Sequence, residues 1–333
     1  MKRRTLLAAA PLAALPLAAL PLAEAFAPAT ARAAQPADFN GFLAGLSNRA
    51  RQQGVPDSIV TQALGGLAPD SRVIHLDSHQ PEFTLTWAQY SARVVTQARI
   101  KDGHAKELAL RPIFANLRRR FGVDAAPMMG IWGIETDFGV IQGNFQVIDS
   151  LATLAWFRNS TFFANEAIAA MKIAARGDAP LPGLIGSWAG AMGQPQFMPS
   201  VYLTTAVNYS GQGTPNIWTS VPDTLASIAN YLHKAHWIPG LPSSEPVLIP
   251  AGFNAGLAGR DHRLPLARWQ QLGVHRLADA AILPPTTEAS LLLPDGPTGA
   301  AYLAYANFTS IRRYNPSDLY ALAVGELGRL IAA

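Results

Sequence analysis

The sequence predicts a mainly α-helical protein of the α+β class, with a helical body and a small β-containing subdomain. Apolar residues recur at helical spacing between about residues 39 and 236, where short Gly, Pro and Asn turns separate the segments. Residues 239–299 are instead rich in proline and glycine and contain short β-like runs. The 333 residues are 49% hydrophobic and 14% charged, which is enough apolar material for a large core.

The first 34 residues have the order of a secretory signal. A basic start at Lys2, Arg3 and Arg4 precedes an apolar run, which ends in small residues around Ala33. An uncleaved membrane anchor is the alternative, but three prolines interrupt the run and disfavour a spanning helix. The paired arginines before Thr5 resemble a twin-arginine export signal. We therefore expect an exported protein whose mature part has no transmembrane segment.

Charge and cysteine content exclude several classes of protein. Removal of the leader takes away four basic residues and one acidic residue, which leaves 22 basic against 21 acidic side chains and a net charge of +1. A nucleic-acid binder needs a concentrated basic face, and only Arg118–Arg120 comes close, so we expect no nucleic-acid partner. The chain has no cysteine, which excludes disulfides, thiolate metal sites and a lipid anchor on an N-terminal cysteine. We expect a periplasmic, soluble protein.

Helix start signals divide the body. The break at Gly122 allows a new helix with Asp124 as its N-cap, and Ser160 or Thr161 opens another that stops at Gly177. Ser220 and Asp223 have the spacing of a capping box.

The C-terminal third begins with the β-containing subdomain and ends in a helix. The runs Val247–Ile249, Leu291–Leu293 and Tyr302–Tyr305 are β-like, and Pro294-Asp295-Gly296 predicts a turn before the last of them. Asn315 is the expected N-cap of the last helix, with Pro316 at its first position. The predicted organisation is a signal peptide, a catalytic region, the β-containing subdomain and a C-terminal helix packing back on the core, over residues 1–34, 35–238, 239–308 and 309–333.

Glu135 is the candidate catalytic acid. It lies in the last turn of the segment Pro127–Gly139, which has almost no polar face and should be buried nearly all round, with Gly139 as the stop. Burial and the negative end of the helix dipole both raise a carboxyl pKa, and a general acid must hold its proton near neutral pH. The alternative is a glutamate that emerges into water or pairs with an arginine. Asp137 is the nearest other candidate acid, and we interpret it as a surface aspartate.

The segment Gly186–Tyr202 is the candidate groove wall. Glycines allow close backbone approach there, and neutral hydrogen-bonding side chains stand beside tryptophan, phenylalanine and methionine. A sugar-binding groove has this composition, and so does a tight loop whose apolar groups lie in the core. No Asp or Glu occurs between Asp178 and Asp223, so this wall supplies no second carboxylate of the kind that most glycosidases need. If Glu135 is catalytic, it acts without an acidic partner from this wall.

Several motifs together resemble the lytic murein transglycosylases of the membrane-bound B type. The resemblance extends from about Phe39 to Leu330, and its strongest parts are Ile131–Gly139, Asp149–Ala155, Ser187–Gly193, Gln196–Ser200, Ala226–Leu232, Arg313–Asn315 and Tyr320–Val324. It implies a lysozyme-like catalytic core. It also implies cleavage of peptidoglycan between N-acetylmuramic acid and N-acetylglucosamine without water, which leaves a 1,6-anhydro end. Glu135 would act first as the acid and then as the base.

The resemblance also implies which residues bind the glycan. Ser187 and Gln196 match positions that contact the sugar at the cleavage point. The groove-lining positions correspond to Met192, Phe197, Met198, Tyr231, Tyr314, Asn315 and Tyr320. For Tyr231, helical spacing alone favours a place in the core. Other cell-wall enzymes are possible protein partners.

One loop departs from the family pattern. The family often carries an EF-hand-like calcium loop, and the corresponding twelve residues here are 208–219. The ligand positions fall on residues without a carboxylate: Asn208, Ser210, Gln212, Thr214, Asn216 and Thr219. We therefore expect weak calcium binding or none, and no cofactor. His75 and His79 have the spacing of a zinc pair but lack a third ligand nearby in the sequence, so we interpret them as structural.

The leading hypothesis is an exported lytic transglycosylase with Glu135 as its single acid–base group. A hydrolytic muramidase of lysozyme type would release reducing ends instead of anhydro ends. A peptidoglycan-binding protein without activity is the third possibility, and Glu135 in its apolar helix is the feature against it.

Overall fold

A computed structural model describes residues 38–79, 85–278 and 280–332. The predicted signal peptide at residues 1–34 lies outside these ranges. Within the described part, no helix combines the length and the hydropathy needed to cross a membrane.

The prediction of a mainly helical α+β fold is confirmed. The helices, in chain order, are α1 Phe39–Gln52, α2 Asp57–Leu64, α3 Ser71–Ser78, α4 Trp87–Val94, α5 Gln97–Phe121, α6 Ala125–Thr136, α7 Val147–Phe157, α8 Thr161–Ala175, α9 Pro199–Thr205, α10 Val221–Lys234, α11 Leu266–Gln271, α12 Ala306–Tyr314 and α13 Asp318–Ala332. The strands are β1 Phe145–Gln146, β2 Ile185–Gly186, β3 Ser244–Leu248, β4 Arg263–Pro265, β5 His275–Arg276, β6 Glu288–Leu292 and β7 Ala301–Ala304.

Two of the predicted helix starts are confirmed in their cap geometry. The Ser160 side chain accepts a hydrogen bond from Phe163 N at the start of α8, and Ser220 accepts one from Asp223 N at the start of α10. The Asp223 side chain does not complete a capping box, because its carboxylate turns to the preceding loop and accepts a bond from Tyr209 N. Helix α5 ends at Gly122, which has the left-handed conformation typical of a C-terminal glycine.

Two other helix boundaries differ from the prediction. Asp124 precedes α6, but its side chain makes no cap bond and pairs with Arg118 at 3.0 Å instead. Asn315 does not begin the last helix; it closes α12, and its side chain accepts a bond from Ser317 N. Ser317 caps α13, with its hydroxyl accepting from Tyr320 N. The sequence thus predicted where these helices begin to within a few residues. Competing side-chain bonds determine which residue caps the N-terminus of each helix.

Helix α6 ends three residues before the predicted stop at Gly139. Asp137 and Phe138 already have positive φ angles of 51° and 59°, and Phe138 N bonds back to Trp132 O. The reason is packing: the buried Phe138 ring meets the Trp132 ring edge-on, with centroids 5.4 Å apart. This apolar contact across the helix end stabilises the early turn.

The β-containing subdomain is one antiparallel sheet in the order β4-β6-β7-β3-β5. It has its own hydrophobic core, built on Trp269, Leu291 and Leu303. The predicted turn at Pro294-Asp295-Gly296 lies between β6 and β7, where Gly296 has a φ of 80°. The other strands, β1 and β2, pair inside the helical body just before Ser187.

The helical body is organised around α6. Its most extensive helix contact is with α13. Glycines allow this close approach: a Cβ atom at Gly130 would lie 2.2 Å from Val324 O, and one at Gly328 would lie 2.2 Å from Ala126 O. Because α6 is apolar nearly all round, it is buried from Pro127 to Thr136. The helix that carries Glu135 is therefore central to the body.

Candidate active site

The Glu135 side chain is enclosed by protein. It is 1% exposed, and every residue of α6 from Pro127 to Thr136 is buried. The alternatives of a glutamate emerging into water or pairing with an arginine are therefore wrong. The cause is visible in the sequence of α6, whose apolar residues leave no face that could turn to solvent.

The two carboxyl oxygens of Glu135 have different surroundings. Oε1 accepts a hydrogen bond of 2.6 Å from the hydroxyl of Tyr320 on α13. Oε2 is buried and has no hydrogen-bond partner among the described residues. Burial raises the pKa of Glu135 from 4.5 to about 8, while the Tyr320 hydrogen bond acts in the opposite direction. Glu135 is thus predominantly protonated at neutral pH, with one oxygen held and the other available.

Three aromatic side chains, Phe197, Tyr231 and Tyr314, pack on one another, and Tyr314 lies near Glu135. The ring of Tyr314 on α12 lies 4.7 Å from that of Tyr231 on α10, and Phe197 packs against both. Tyr314 donates a hydrogen bond to Pro195 O. Burial raises the pKa of both Tyr314 and Tyr320 above the ordinary value of 10, and the nearby Glu135 adds to the shift. Both phenols therefore remain neutral hydrogen-bond donors.

The loop from Ser187 to Met198 is part of the predicted groove wall. Ser187 closes a turn with Ala191, accepting from its N–H through the hydroxyl, and Met192 forms isolated β-bridges with Gly186 and Phe197. Gln196 has a φ of 50° and donates from Nε2 to Gly193 O and Gln142 O. Its Oε1 is buried with no partner in the described structure. This loop therefore presents a second unpaired acceptor.

The apolar side chains of this loop lie in the core. Met192, Phe197 and Met198 are 0–2% exposed, so the tight-loop interpretation describes them better than an exposed apolar surface does. Tyr231 is half-buried and so borders solvent, as does Asn315, whose Oδ1 bonds to Ser317 N. Of these predicted positions, Tyr320 is the one that forms a hydrogen bond with Glu135 in the described part of the chain; the roles of the other positions as sugar contacts stay predictions.

Gln194 has a structural role that its sequence context did not reveal. Its Oε1 accepts a bond of 2.8 Å from Trp132 Nε1, and its Nε2 donates to Trp218 O. The side chain therefore ties α6 to the loop that precedes α10. The long separations in sequence explain why local patterns could not indicate these bonds.

Asp137 does not act as a second acid beside Glu135. It leaves the helix in the left-handed conformation and pairs with Arg99, Nε to Oδ1, at 2.9 Å. The pKa shift of Glu135 arises from burial and from Tyr320, with no contribution from another carboxylate in the described structure. Within the described ranges, no second carboxylate therefore lies close enough to Glu135 to affect its pKa.

Asp223 follows the twelve residues of the predicted calcium-type loop, and its carboxylate hydrogen-bonds back to that loop. The oxygens of buried Asp223 accept bonds from Tyr209 N (2.9 Å) and Asn216 N (2.8 Å). Asn208 Oδ1 is bonded to both Ser210 N and Ser210 Oγ. With one carboxylate, and with these oxygens already accepting N–H and O–H bonds, the donor set does not fit a tight calcium site.

The two histidines with metal-ligand spacing pack on each other. The His75 and His79 rings stack with centroids 4.4 Å apart, and His79 Nδ1 lies 2.9 Å from His75 O. Among the described residues, no group of three or more His, Asp or Glu side chains could hold a metal ion.

Comparison with known proteins identifies the family. Residues 38–329 match the family described as "Transglycosylase SLT domain". The chain belongs to this lytic transglycosylase family. A relative, "Membrane-bound lytic murein transglycosylase B" of Escherichia coli K12, is 33% identical over 255 residues, which are 74% of this chain and 67% of the relative.

Solved structures of the family have the same fold. Pseudomonas aeruginosa SltB3, in complex with NAG-NAM-pentapeptide, is 38% identical with a TM-score of 0.84, over 89% of this chain and 80% of that one. The Escherichia coli lytic transglycosylase Slt35, in complex with calcium, is 28% identical with a TM-score of 0.72, over 90% and 94%. The predicted lysozyme-like lytic transglycosylase fold and enzyme class are thereby confirmed.

Proposed function

We propose that this lytic transglycosylase cleaves the β-1,4 bond between N-acetylmuramic acid and N-acetylglucosamine without water, with Glu135 as its single acid–base group. The observation that carries the proposal is the state of the Glu135 carboxyl. It is buried and protonated at neutral pH, and among the described residues it has no acidic partner and its Oε2 has no hydrogen-bond partner. A conventional glycosidase would need a second carboxylate to activate water or to attack the sugar.

In the first step Glu135 acts as an acid. Its proton moves from Oε2 to the glycosidic oxygen as the bond from that oxygen to C1 of the muramoyl residue breaks. The 2-acetamido oxygen of the same residue stabilises C1. A pKa of about 8 keeps about nine in ten carboxyls protonated at pH 7. The glycosidic oxygen must come within hydrogen-bond distance of Oε2, so the side chains that shield this atom have to move as the glycan binds.

In the second step Glu135 acts as a base. The carboxylate takes the proton of the muramoyl C6 hydroxyl, and O6 forms a bond to C1, which closes the 1,6-anhydro ring. Burial favours this step, because the ionised carboxylate regains the proton more readily than an exposed one would. The Tyr320 hydroxyl stabilises the carboxylate between the two steps through its bond to Oε1.

Peptidoglycan as the substrate is supported by two complexes of one relative. SltB3 has been solved with NAG-NAM-pentapeptide and with NAG-anhNAM-pentapeptide. Ser187, Gln196, Met192, Phe197, Met198, Tyr231, Tyr314, Asn315 and Tyr320 are the residues proposed to bind the glycan. The buried, unpaired Oε1 of Gln196 supports a role in accepting a sugar hydroxyl or amide N–H. Other cell-wall enzymes remain the proposed class of protein partner.

The test is digestion of purified sacculi, with products identified by mass spectrometry. We expect 1,6-anhydro ends from the wild-type protein. Glu135→Gln should reduce release at least about 100-fold while binding to sacculi is retained. Glu288→Gln, the same change at an exposed glutamate, is the matched control and should be fully active. Reducing ends would establish a hydrolytic muramidase instead, and binding without any products would establish a non-catalytic binding protein.

We propose further that residues 1–34 export the enzyme to the periplasm, where peptidoglycan lies. The basic start, the apolar run and the small residues around Ala33 support this proposal. A fusion of these residues to a reporter that is active only after export should give signal. Loss of the signal on changing Arg3 and Arg4 together to Lys would indicate the twin-arginine route, and an inactive fusion would refute export.

A further inference from the structure

Helix α4 is held at its N-terminus by a carboxylate from the β-containing subdomain. The two oxygens of Asp295 accept hydrogen bonds from Trp87 N at 2.7 Å and from Ala88 N at 2.9 Å. Asp295 lies in the turn between β6 and β7, 208 residues away from Trp87 in the sequence. A second contact joins the same parts, because the rings of Trp87 and Tyr302 meet edge-on with centroids 5.5 Å apart.

These two bonds complete the capping of α4. Thr86 and Gln89 form a capping box, in which the Thr86 hydroxyl accepts from Gln89 N. The first N–H groups of a helix have no partner inside the helix, and Asp295 binds the two that Thr86 does not. Its negative charge also suits the positive end of the helix dipole. A helix of eight residues is marginal by itself, so its position depends on such contacts.

Helix α4 connects this clamp to the candidate active site. It packs against α13, the helix that carries Tyr320, and its own Tyr90 is 7% exposed. Since Tyr320 on α13 donates its hydroxyl to Glu135, the packing of α4 on α13 links the Asp295 clamp to the helix that holds the acid.

We propose that Asp295 is a positioning residue for the glycan-cleavage reaction: by clamping α4, the β-containing subdomain keeps Tyr320 aligned on Glu135. This inference rests on the proposed function of Glu135. It assigns the subdomain a role in holding the site in its working geometry, although Asp295 itself does not touch the reacting atoms.

Steady-state kinetics on sacculi separate positioning from binding. We expect Asp295→Ala to lower kcat about tenfold with KM changed less than about twofold, because misplacement of a catalytic group acts on the chemical step. Asp295→Asn, which keeps one acceptor oxygen, should lie between this variant and the wild type. Asp261→Ala removes an exposed aspartate from the same subdomain and should match the wild type. Equal kcat values for Asp295→Ala and Asp261→Ala would overturn the proposal.

A double-mutant cycle tests the route through Tyr320. If Asp295 acts by aligning Tyr320, the change Asp295→Ala should have little further effect on kcat once Tyr320 is Phe. The pH profile gives a second readout: a weakened Tyr320–Glu135 bond raises the pKa of Glu135, so the alkaline limb of Asp295→Ala should move to higher pH. If the effects of Asp295→Ala and Tyr320→Phe on kcat are fully additive and the alkaline limb does not shift, Asp295 acts only on general stability.

Hydrogen exchange provides a measurement independent of activity. The amides of Trp87 and Ala88 should be protected in the wild type and exchange faster in Asp295→Ala, while α6 keeps its protection. If Asp295→Ala proves globally unfolded, Asp295→Asn carries the same tests, and unchanged exchange in that variant would refute the clamp. A wild-type enzyme that releases no anhydro products would refute the proposed function, whereas faster exchange at α4 would still show the clamp itself.

Discussion

At the scale of single residues, the chemistry depends on how α6 and α13 place Glu135. The carboxyl group lies in the last turn of an apolar helix, where burial and the helix dipole disfavour its charge. The Tyr320 hydroxyl opposes this effect by binding Oε1. The proton affinity of Glu135 therefore reflects a balance between burial and one hydrogen bond.

Removal of the Tyr320 hydroxyl should shift this balance. In Tyr320→Phe the pKa of Glu135 rises further above its value of about 8, because the bond that lowers it is lost. The acid must be protonated, so activity falls as pH rises through this pKa. The alkaline limb of the kcat profile should therefore move to higher pH in this variant. At pH 7 we expect kcat about tenfold lower, since the carboxylate loses a charge-assisted bond. An unshifted limb would contradict this role of Tyr320.

Glu135→Gln should stabilise the folded protein in a pH-dependent manner. The folded pKa of about 8 lies above the ordinary 4.5, so the folded state binds more protons, and wild-type stability falls as pH rises between these values. The uncharged amide of the variant does not ionise, so it carries no cost of burying a charge. We expect a gain of about 3 kcal/mol in the free energy of unfolding at pH 7 and almost none at pH 4. Urea titrations at both pH values measure it, and an equal gain at the two values would contradict the raised pKa.

At the scale of elements, close packing of α6 against α13 brings Glu135 and Tyr320 together. Gly130 lies at this contact, with space for no side chain beyond hydrogen. The same pair of helices determines both the burial of the acid and its hydrogen bond. Small changes at the contact should therefore affect stability and activity together.

Gly130→Ala tests this packing. The added Cβ would lie 2.2 Å from Val324 O, so the backbone of α13 must shift, and we expect a loss of about 3 kcal/mol in unfolding free energy. Gly45→Ala is the matched control, since a Cβ there meets nothing within 4 Å and the change improves helix propensity by up to about 1 kcal/mol. Urea denaturation midpoints compare the two variants, and similar midpoints would refute the close contact.

The loop at residues 208–219 should hold its shape without calcium. Asp223 already accepts two backbone bonds from it, so added millimolar calcium should leave the melting temperature of the wild type unchanged. Asp223→Asn should lower the free energy of unfolding by about 1–3 kcal/mol, because an amide has one acceptor oxygen where the carboxylate has two. Thermal scans with calcium, and with magnesium as the control ion, measure both effects. Tight calcium binding by calorimetry would refute the prediction.

At the scale of the whole molecule, the residues that the structure describes form two hydrophobic cores. The larger one fills the helical body, and the smaller one lies under the sheet around Trp269. The parts meet where α13 packs against β3 and where Asp295 caps α4. Separate cores joined by specific contacts allow one part to loosen before the other.

Trp269→Ala should therefore affect the sheet first. Trp269 is 1% exposed and donates to Ala289 O, so its truncation should cost about 3–5 kcal/mol within the small core. We expect limited proteolysis to cut between residues 244 and 304 at temperatures where the helical far-UV signal is intact. If cleavage between these residues begins only at the temperature where the helical far-UV signal is lost, the molecule unfolds as one unit.

Local patterns in the sequence predicted much of the architecture and indicated Glu135 as the candidate acid. Helical periodicity, the Ser160 and Ser220 caps and the turn at Pro294-Asp295-Gly296 depend on residues near one another in the chain, so they could be interpreted without the fold. The burial of Glu135 was also predictable, because α6 has no polar face. Motifs spread over the chain indicated the family.

Only the tertiary structure decided what surrounds that acid. Tyr320 is 185 residues from Glu135, Asp223 turns away from its own helix cap, and Asp295 caps a helix 207 residues distant. Each bond depends on where the chain returns in space, and many polar side chains could have filled each place. A hydrogen bond requires a partner within about 3 Å, and sequence periodicity determines which face a residue occupies but not which distant residue lies opposite it.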